Sequence, residues 1–192
     1  MNKSNFELVI CRYNEDIRWS EQFAEIRTVY DKGGIYDLNS IVLPNVGRDA
    51  HCYLTHIVRN YENLSDITLF FQGSINDRPD QILLDWTEYF KNNGKVNGRI
   101  VNLCENYDWK NTGEGIATSQ YSLGSFCEQV LKKDWKSFNK VWIRGMFMSV
   151  PKELILKNPK EYYEDILRLS NLSNHTNPED GFFMERLWFA IF

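Results

Sequence analysis

Apolar and polar positions alternate in blocks along the first half of the chain, and each block has the period of a strand or a helix. Phe6-Glu-Leu-Val-Ile-Cys-Arg12 is a β-rich run that stops at the polar cluster Tyr13-Asn14-Glu15-Asp16, which predicts a buried strand ending in a loop. A short helix follows around Trp19 to Ala24, then a second strand over Ile26–Tyr30 halted by Asp31-Lys32-Gly33-Gly34. A third strand, Ser40–Leu43, runs into Pro44-Asn45-Val46-Gly47-Arg48-Asp49. Beyond it Tyr53, Leu54, Ile57, Val58 and Tyr61 recur at helical spacing. The pattern repeats in Ile67–Phe71, the polar stretch Gln72–Asp80, and the amphipathic segment Ile82–Phe90. Alternating β and α elements of this kind predict an α/β fold, with a mostly parallel central sheet flanked by helices.

The second half is less regular. Ile100–Leu103 reads as a strand, and Tyr107–Gly115 has the turn-former density of a long surface loop. Val141–Val150 is one β-like run, Pro151 opens a helix, and Pro159–Leu169 forms another. Phe182–Phe192 is apolar around most of its circumference and predicts a buried helix. With no repeat and no linker, residues 1–192 read as one domain, in halves of about 1–92 and 93–192.

Composition narrows the partners. The chain has 22 Lys plus Arg against 26 Asp plus Glu, a formal charge of -4, so nucleic acid and anionic membrane find no broad basic surface. The sequence shows no membrane span and no signal peptide, and a cytoplasmic protein is expected. Cys11, Cys52, Cys104 and Cys127 form no Cys-x-x-Cys pair and read as reduced thiols; His51, His56 and His175 do not complete a zinc site. There is no G-x-G-x-x-G and no Walker loop, which sets aside nicotinamide-dependent hydride transfer and P-loop phosphoryl transfer.

Open α/β sheets bind ligands where the carboxyl ends of strands diverge. Four predicted strand ends carry polar clusters here: Arg12–Asp16, Asp31–Gly34, Asn45–Asp49 and Gln72–Asp80. Their order, with Ile67–Phe71 ending in Gln72-Gly73, the later segment Arg144-Gly145-Met146-Phe147-Met148-Ser149-Val150-Pro151 and the closing Phe183-Met184-Glu185-Arg186-Leu187-Trp188, resembles a nucleotide-sugar-dependent glycosyltransferase of the GT-A fold. The last segment is similar to the end of a family of small GT-A-like proteins, some of them encoded by large DNA viruses; for a viral member the compartment would be the host cytoplasm.

The resemblance implies a donor half, about 1–92, and an acceptor half, about 93–192. Arg12, Asn14 and Glu15 would lie near the nucleobase and Asp31 beside the ribose. Arg48 and Asp49 would reach the donor from the third strand's loop, with Lys32, Asn45, Gly47, Gln72 and Gly73 completing the donor site. The residue types suit the task, since Arg forms charge-assisted, bidentate bonds to phosphate and Asp accepts from ribose hydroxyls. A local alternative is that Asn45 or Asp49 caps the helix that starts there. Enzymes of this kind place an Asp-x-Asp where this chain has Gln72-Gly73-Ser74. A divalent metal, expected to be manganese, would then rest on Asp77 or be replaced by basic residues such as Lys32 or Arg144. Asp77 and Asp80 also read as the N-cap and N3 residues of a helix.

On the acceptor side the resemblance implies Arg144, Gly145, Met146, Glu179 and Glu185 at the substrate, with Asp180 as the carboxylate base of an inverting transfer. The alternative for Glu179 and Asp180 is structural: with Asn177 as N-cap and Pro178 at the first helical position, both acids would simply suit a helix start. The implied partners are a UDP-sugar donor and a glycan or glycoprotein acceptor. A module that binds nucleotide or carbohydrate without turnover is the competing expectation.

Overall fold

The protein is described by a computed structural model covering residues 6–34, 36–74, 99–102, 105–144 and 146–192. A five-stranded sheet has the order β3-β2-β1-β4-β7, built from β1 (Phe6–Arg12), β2 (Arg27–Asp31), β3 (Ile41–Val42), β4 (Ile67–Gln72) and β7 (Met148–Pro151). β1 lies at its centre, parallel to β2 with Cys11 opposite Tyr30 and parallel to β4 with Cys11 opposite Gln72. A central parallel strand is covered on both faces, which is why Leu8–Cys11 is apolar without alternation and buried throughout. β7 is antiparallel to β4, so the sheet is mixed but mostly parallel.

The run Val141–Val150 does not make one strand. It splits into β6 (Val141–Arg144), which pairs antiparallel with β5 (Arg99–Asn102) in a separate two-stranded sheet, and β7. The bend between them places Met146 at φ 58, a left-handed backbone that ends strand geometry.

Five α-helices occur among the described residues: α1 (Arg48–Asn60), α2 (Leu123–Gln129), α3 (Lys152–Ile155), α4 (Lys160–Leu169) and α5 (Glu179–Ile191). The expected short helix after β1 is a 3₁₀ segment, Arg18–Phe23. α2 was not predicted. Gly124 lowers its helix propensity, and it is held by a reciprocal box between Ser122 and Ser125 in place of the Ser/Thr-x-x-Glu/Gln signature. The helix expected over Ile82–Phe90 lies outside the described residues.

The larger core joins one sheet face to α1, α4 and α5, with Tyr53, Phe70, Phe126, Tyr163, Phe183 and Trp188 fully buried. Inside it His56 Nε2 lies 2.9 Å from Glu7 Oε1, and Tyr30 Oη lies 3.2 Å from His56 Nδ1, which ties α1 to β1 and β2 by polar contacts. A smaller cluster covers the other face, with Leu8, Ile10, Val29, Leu69 and Phe71 beneath Ile17 and Trp19. α1 and α5 run side by side in the same sense: Arg48 packs over the Phe182 ring at 4.3 Å, and Tyr53 meets Trp188 at 6.3 Å.

Candidate functional site

Chain order reverses between β1 and β4. From β1 the chain moves outward to β2 and β3, then returns to the other side of β1 as β4, and such reversals open a crevice at the carboxyl ends of the strands. The residues that end β1, β2 and β4 are polar and linked to one another. Arg12 Nη1 donates to Asp31 Oδ2 at 2.5 Å, and Arg12 Nε donates to the Glu15 carbonyl at 2.9 Å. Asp31 is fully buried; its second oxygen accepts the N–H groups of Gly33 and Gly34, so both oxygens are used. Lys32 donates through Nζ to the carbonyls of Val46 and Arg48, binding the β2 loop to the start of α1. Gln72 Nε2 donates to Asp49 Oδ2 at 2.6 Å, binding the end of β4 to the first turn of α1.

The β1 loop folds over β4. Glu15 Oε2 accepts the N–H groups of Tyr13, at 2.5 Å, and Asn14, at 3.2 Å, and its side chain lies against Gly73, where a Cβ would sit 2.8 Å from that oxygen. A side chain there would displace the Glu15 carboxylate. Gly73 N–H donates to the Cys11 carbonyl and Trp19 Nε1 donates to the Gly73 carbonyl, so the sheet pairing continues one residue past β4. Tyr13 is half exposed beside this loop, Asn14 is exposed, and the Arg12 guanidinium lies 4.9 Å over the Tyr36 ring.

α1 begins without a side-chain cap. Its N-cap is Gly47 at φ 64, whose N–H donates to the His175 carbonyl, and the next residue, Arg48, is also left-handed at φ 50. Neither Asn45 nor Asp49 caps the helix. Arg48 is exposed and donates to Asn177 Oδ1 at 2.9 Å, which joins this end of α1 to the end of the loop before α5.

α5 starts one residue later than expected, with Pro178 as N-cap and Glu179 and Asp180 in the first turn. Both acids are fully buried. Glu179 accepts the N–H groups of Asn111 (2.5 Å) and Ser119 (2.8 Å), and its own N–H donates to Ala117, so its carboxylate pins the long loop to the helix. Asp180 Oδ2 accepts the Asn171 N–H at 2.5 Å. Burial raises the Asp180 pKa, an effect opposed by hydrogen bonds from Ser119 and the Asn171 backbone. Asp180 is thus fully buried, with Oδ2 tethering the turn at Asn171 and Oδ1 without a hydrogen-bond partner among the described residues.

The remaining acceptor-side residues lie apart from that pair. Met146 is buried with its carbonyl accepting from Tyr53 Oη at 3.0 Å, Arg144 ends β6, and Glu185 is half-buried on α5. Arg186, next to Glu185 on α5, donates to Glu105 Oε1 at 2.6 Å and lies over the Trp109 ring. Gly145, Asp77 and Asp80 lie outside the described residues. His175 is exposed, without a polar partner for its ring among the described residues.

Two buried groups near the strand ends are neutral at physiological pH. A hydrogen bond with Cys52 and burial push the Cys11 thiol well above its ordinary pKa, so it is no nucleophile. Burial, reinforced by the positive charges of Lys32 and Arg59, lowers His51 to about 4. Among the described residues no group of three or more His, Cys, Asp or Glu side chains could hold a metal ion. The Gln72-Gly73-Ser74 slot supplies no carboxylate, and Asp31 has no oxygen to spare. The described residues alone offer no manganese site; Asp77, the residue expected to hold the ion, lies outside them.

Sequence reasoning missed Trp19, Tyr36, Tyr53 and Asn177 as members of this network. Trp19 carried a usable signal, an aromatic residue in a polar stretch directly after the first strand end; Asn177 carried none, because its partner Arg48 is 129 positions away.

No helix among the described residues is long and apolar enough to cross a membrane. No curated protein and no solved structure matches the chain. A family described as "Protein of unknown function (DUF3431)" matches residues 8–92, a stretch that carries most of β1, all of β2, α1 and β4 and the linked polar residues at the ends of these strands, and stops short of β7 and α5.

Proposed function

We propose that the chain is a GT-A-like glycosyltransferase that binds a UDP-sugar at the carboxyl ends of β1, β2 and β4 and passes the sugar, with inversion, to a hydroxyl of a glycan or glycoprotein. The observation that carries this reading is the linked polar network at the chain reversal, Arg12–Asp31, Lys32–Arg48 and Asp49–Gln72. Its built-in hydrogen bonds fix the groups before a ligand arrives, which lowers the ordering cost of binding. Arg12 Nη2 has no hydrogen-bond partner among the described residues, and Arg48 is exposed on the same edge, so two guanidinium groups are placed to meet a diphosphate. A manganese ion at Asp77 remains part of the proposal only through the resemblance.

A second reading, a nucleotide- or carbohydrate-binding module without turnover, is favoured by the burial of Asp180. One experiment separates the two. UDP should raise the melting temperature, and Arg12→Ala should weaken UDP binding by about tenfold or more, the loss of one charge-assisted bond. A panel of UDP-sugars, with and without manganese, is then assayed for UDP release. Release with any donor supports the transferase; a thermal shift with no release from any donor supports the binding module; no UDP binding at all overturns both.

A further inference from the structure

We propose that Asp49 is the general base of the transfer and that Gln72 is the residue that positions it; this rests on the glycosyltransferase reading above. The candidate must offer an open carboxylate oxygen where the donor and acceptor halves meet. Asp31 has both oxygens in hydrogen bonds and is fully buried. Glu179 spends both oxygens on backbone N–H groups, and Asp180 is closed. Glu15 is turned back onto its own loop and Gly73, on the donor side. Asp49 is half-buried, Oδ2 is held by Gln72 at 2.6 Å, and Oδ1 makes no hydrogen bond among the described residues; the unshared oxygen of Glu15 lies on the donor side, and that of Asp180 is fully buried.

Its place in the fold matches the task. Asp49 sits in the first turn of α1 and is tied to the end of β4; Tyr53, one turn further along the same helix, donates to the carbonyl of Met146 at the bend before β7. The carboxylate therefore stands between the strand ends assigned to the donor and the bend assigned to the acceptor. Left-handed backbone gathers around it, with Gly47 and Arg48 immediately before it and Met146 beyond Tyr53. Strained conformations of this kind, costly for Arg and Met, concentrate where a fold holds functional groups in fixed positions.

Asp49 lies in the first turn of α1, at the positive end of the helix dipole. In the step, the acceptor oxygen's electron pair forms the bond to the anomeric carbon. The bond from that carbon to the diphosphate oxygen breaks, and its electron pair leaves on UDP. The acceptor's hydroxyl proton passes to Asp49 Oδ1. The hydrogen bond from Gln72 to Oδ2 aims the other oxygen at the acceptor.

The test uses the full chain, calorimetric titration of UDP, and UDP release from a panel of UDP-sugars with water as acceptor. Asp49→Asn should bind UDP within about threefold of wild type and lower UDP release by about 10²-fold or more. Gln72→Ala should lower kcat for UDP release by about tenfold while KM for the UDP-sugar stays within about threefold of wild type, a split that a merely structural role would not produce. Asp180→Asn should keep wild-type release. Asp49→Asn releasing UDP within threefold of wild type overturns the assignment, as does the large loss falling on Glu185→Gln or Asp180→Asn. UDP binding with no release by the wild type removes the catalytic role and leaves the nucleotide site standing. Absence of UDP binding overturns the site and the assignment together.

Discussion

The amino ends of α1 and α5 lie next to each other, joined by Arg48 over Phe182, and both obey the same sequence rule of acidic residues in the first turn. They differ in what their carboxylates touch. Glu179 and Asp180 face inward and accept backbone N–H groups of two distant loops; Asp49 faces the strand ends and accepts one side-chain bond, with an oxygen left over. Charge at a helix start is thus compatible with two uses, clamping the chain and presenting a reactive oxygen. Burial and partners tell them apart, and the rule itself does not.

The largest effect should come from Glu179→Ala. It orphans the buried N–H groups of Asn111 and Ser119, at a cost of about 1–3 kcal/mol for each unsatisfied group. Urea unfolding should show a loss of about 3 kcal/mol in stability with an unchanged m value. A loss below about 1 kcal/mol would mean that the long loop is held elsewhere.

Asp180→Asn should give an intermediate effect that depends on pH. Because burial raises the folded pKa, ionised Asp180 costs more folded than unfolded. Below the unfolded value, about 4, both states are protonated and the cost vanishes; it grows as pH rises towards the folded pKa and is constant above it. Melting temperatures across that range should therefore move in favour of the Asn variant as pH increases. A gap independent of pH would show that the carboxylate ionises freely.

Asp49→Asn should be the mildest change in stability, about 0.5 kcal/mol from the lost interaction with the helix amino end. If thermal unfolding finds a loss as large as that of Glu179→Ala, the two helix ends serve the same structural purpose and the contrast fails.

Much of the fold was legible in the sequence because its central strands are buried on both faces. Leu8–Cys11 and Leu69–Phe71 are continuous apolar runs that end abruptly in polar residues, and α1 keeps one apolar stripe. The donor-side cluster was legible for the same reason, since parallel strands all deliver their polar ends to one edge. The division of Val141–Val150 was hidden, because hydrophobicity does not record a left-handed Met146. The absence of a side-chain cap on α1 was hidden too: the left-handed pair Gly47 and Arg48 is held by His175, Lys32 and Asn177, all distant in sequence. The closure of Asp180 depends on Asn171, nine positions upstream on another element, and no local pattern encodes that contact.

The sequence by itself determined the α/β class, the parallel core of the sheet and the edge on which its polar residues gather, because side-chain periodicity and turn chemistry are local properties. Tertiary structure alone decided which acids are spent and which stay available. The hydrogen bonds that fill Glu179 come from Asn111 and Ser119, 68 and 60 positions away, and their arrival is a property of the packed molecule.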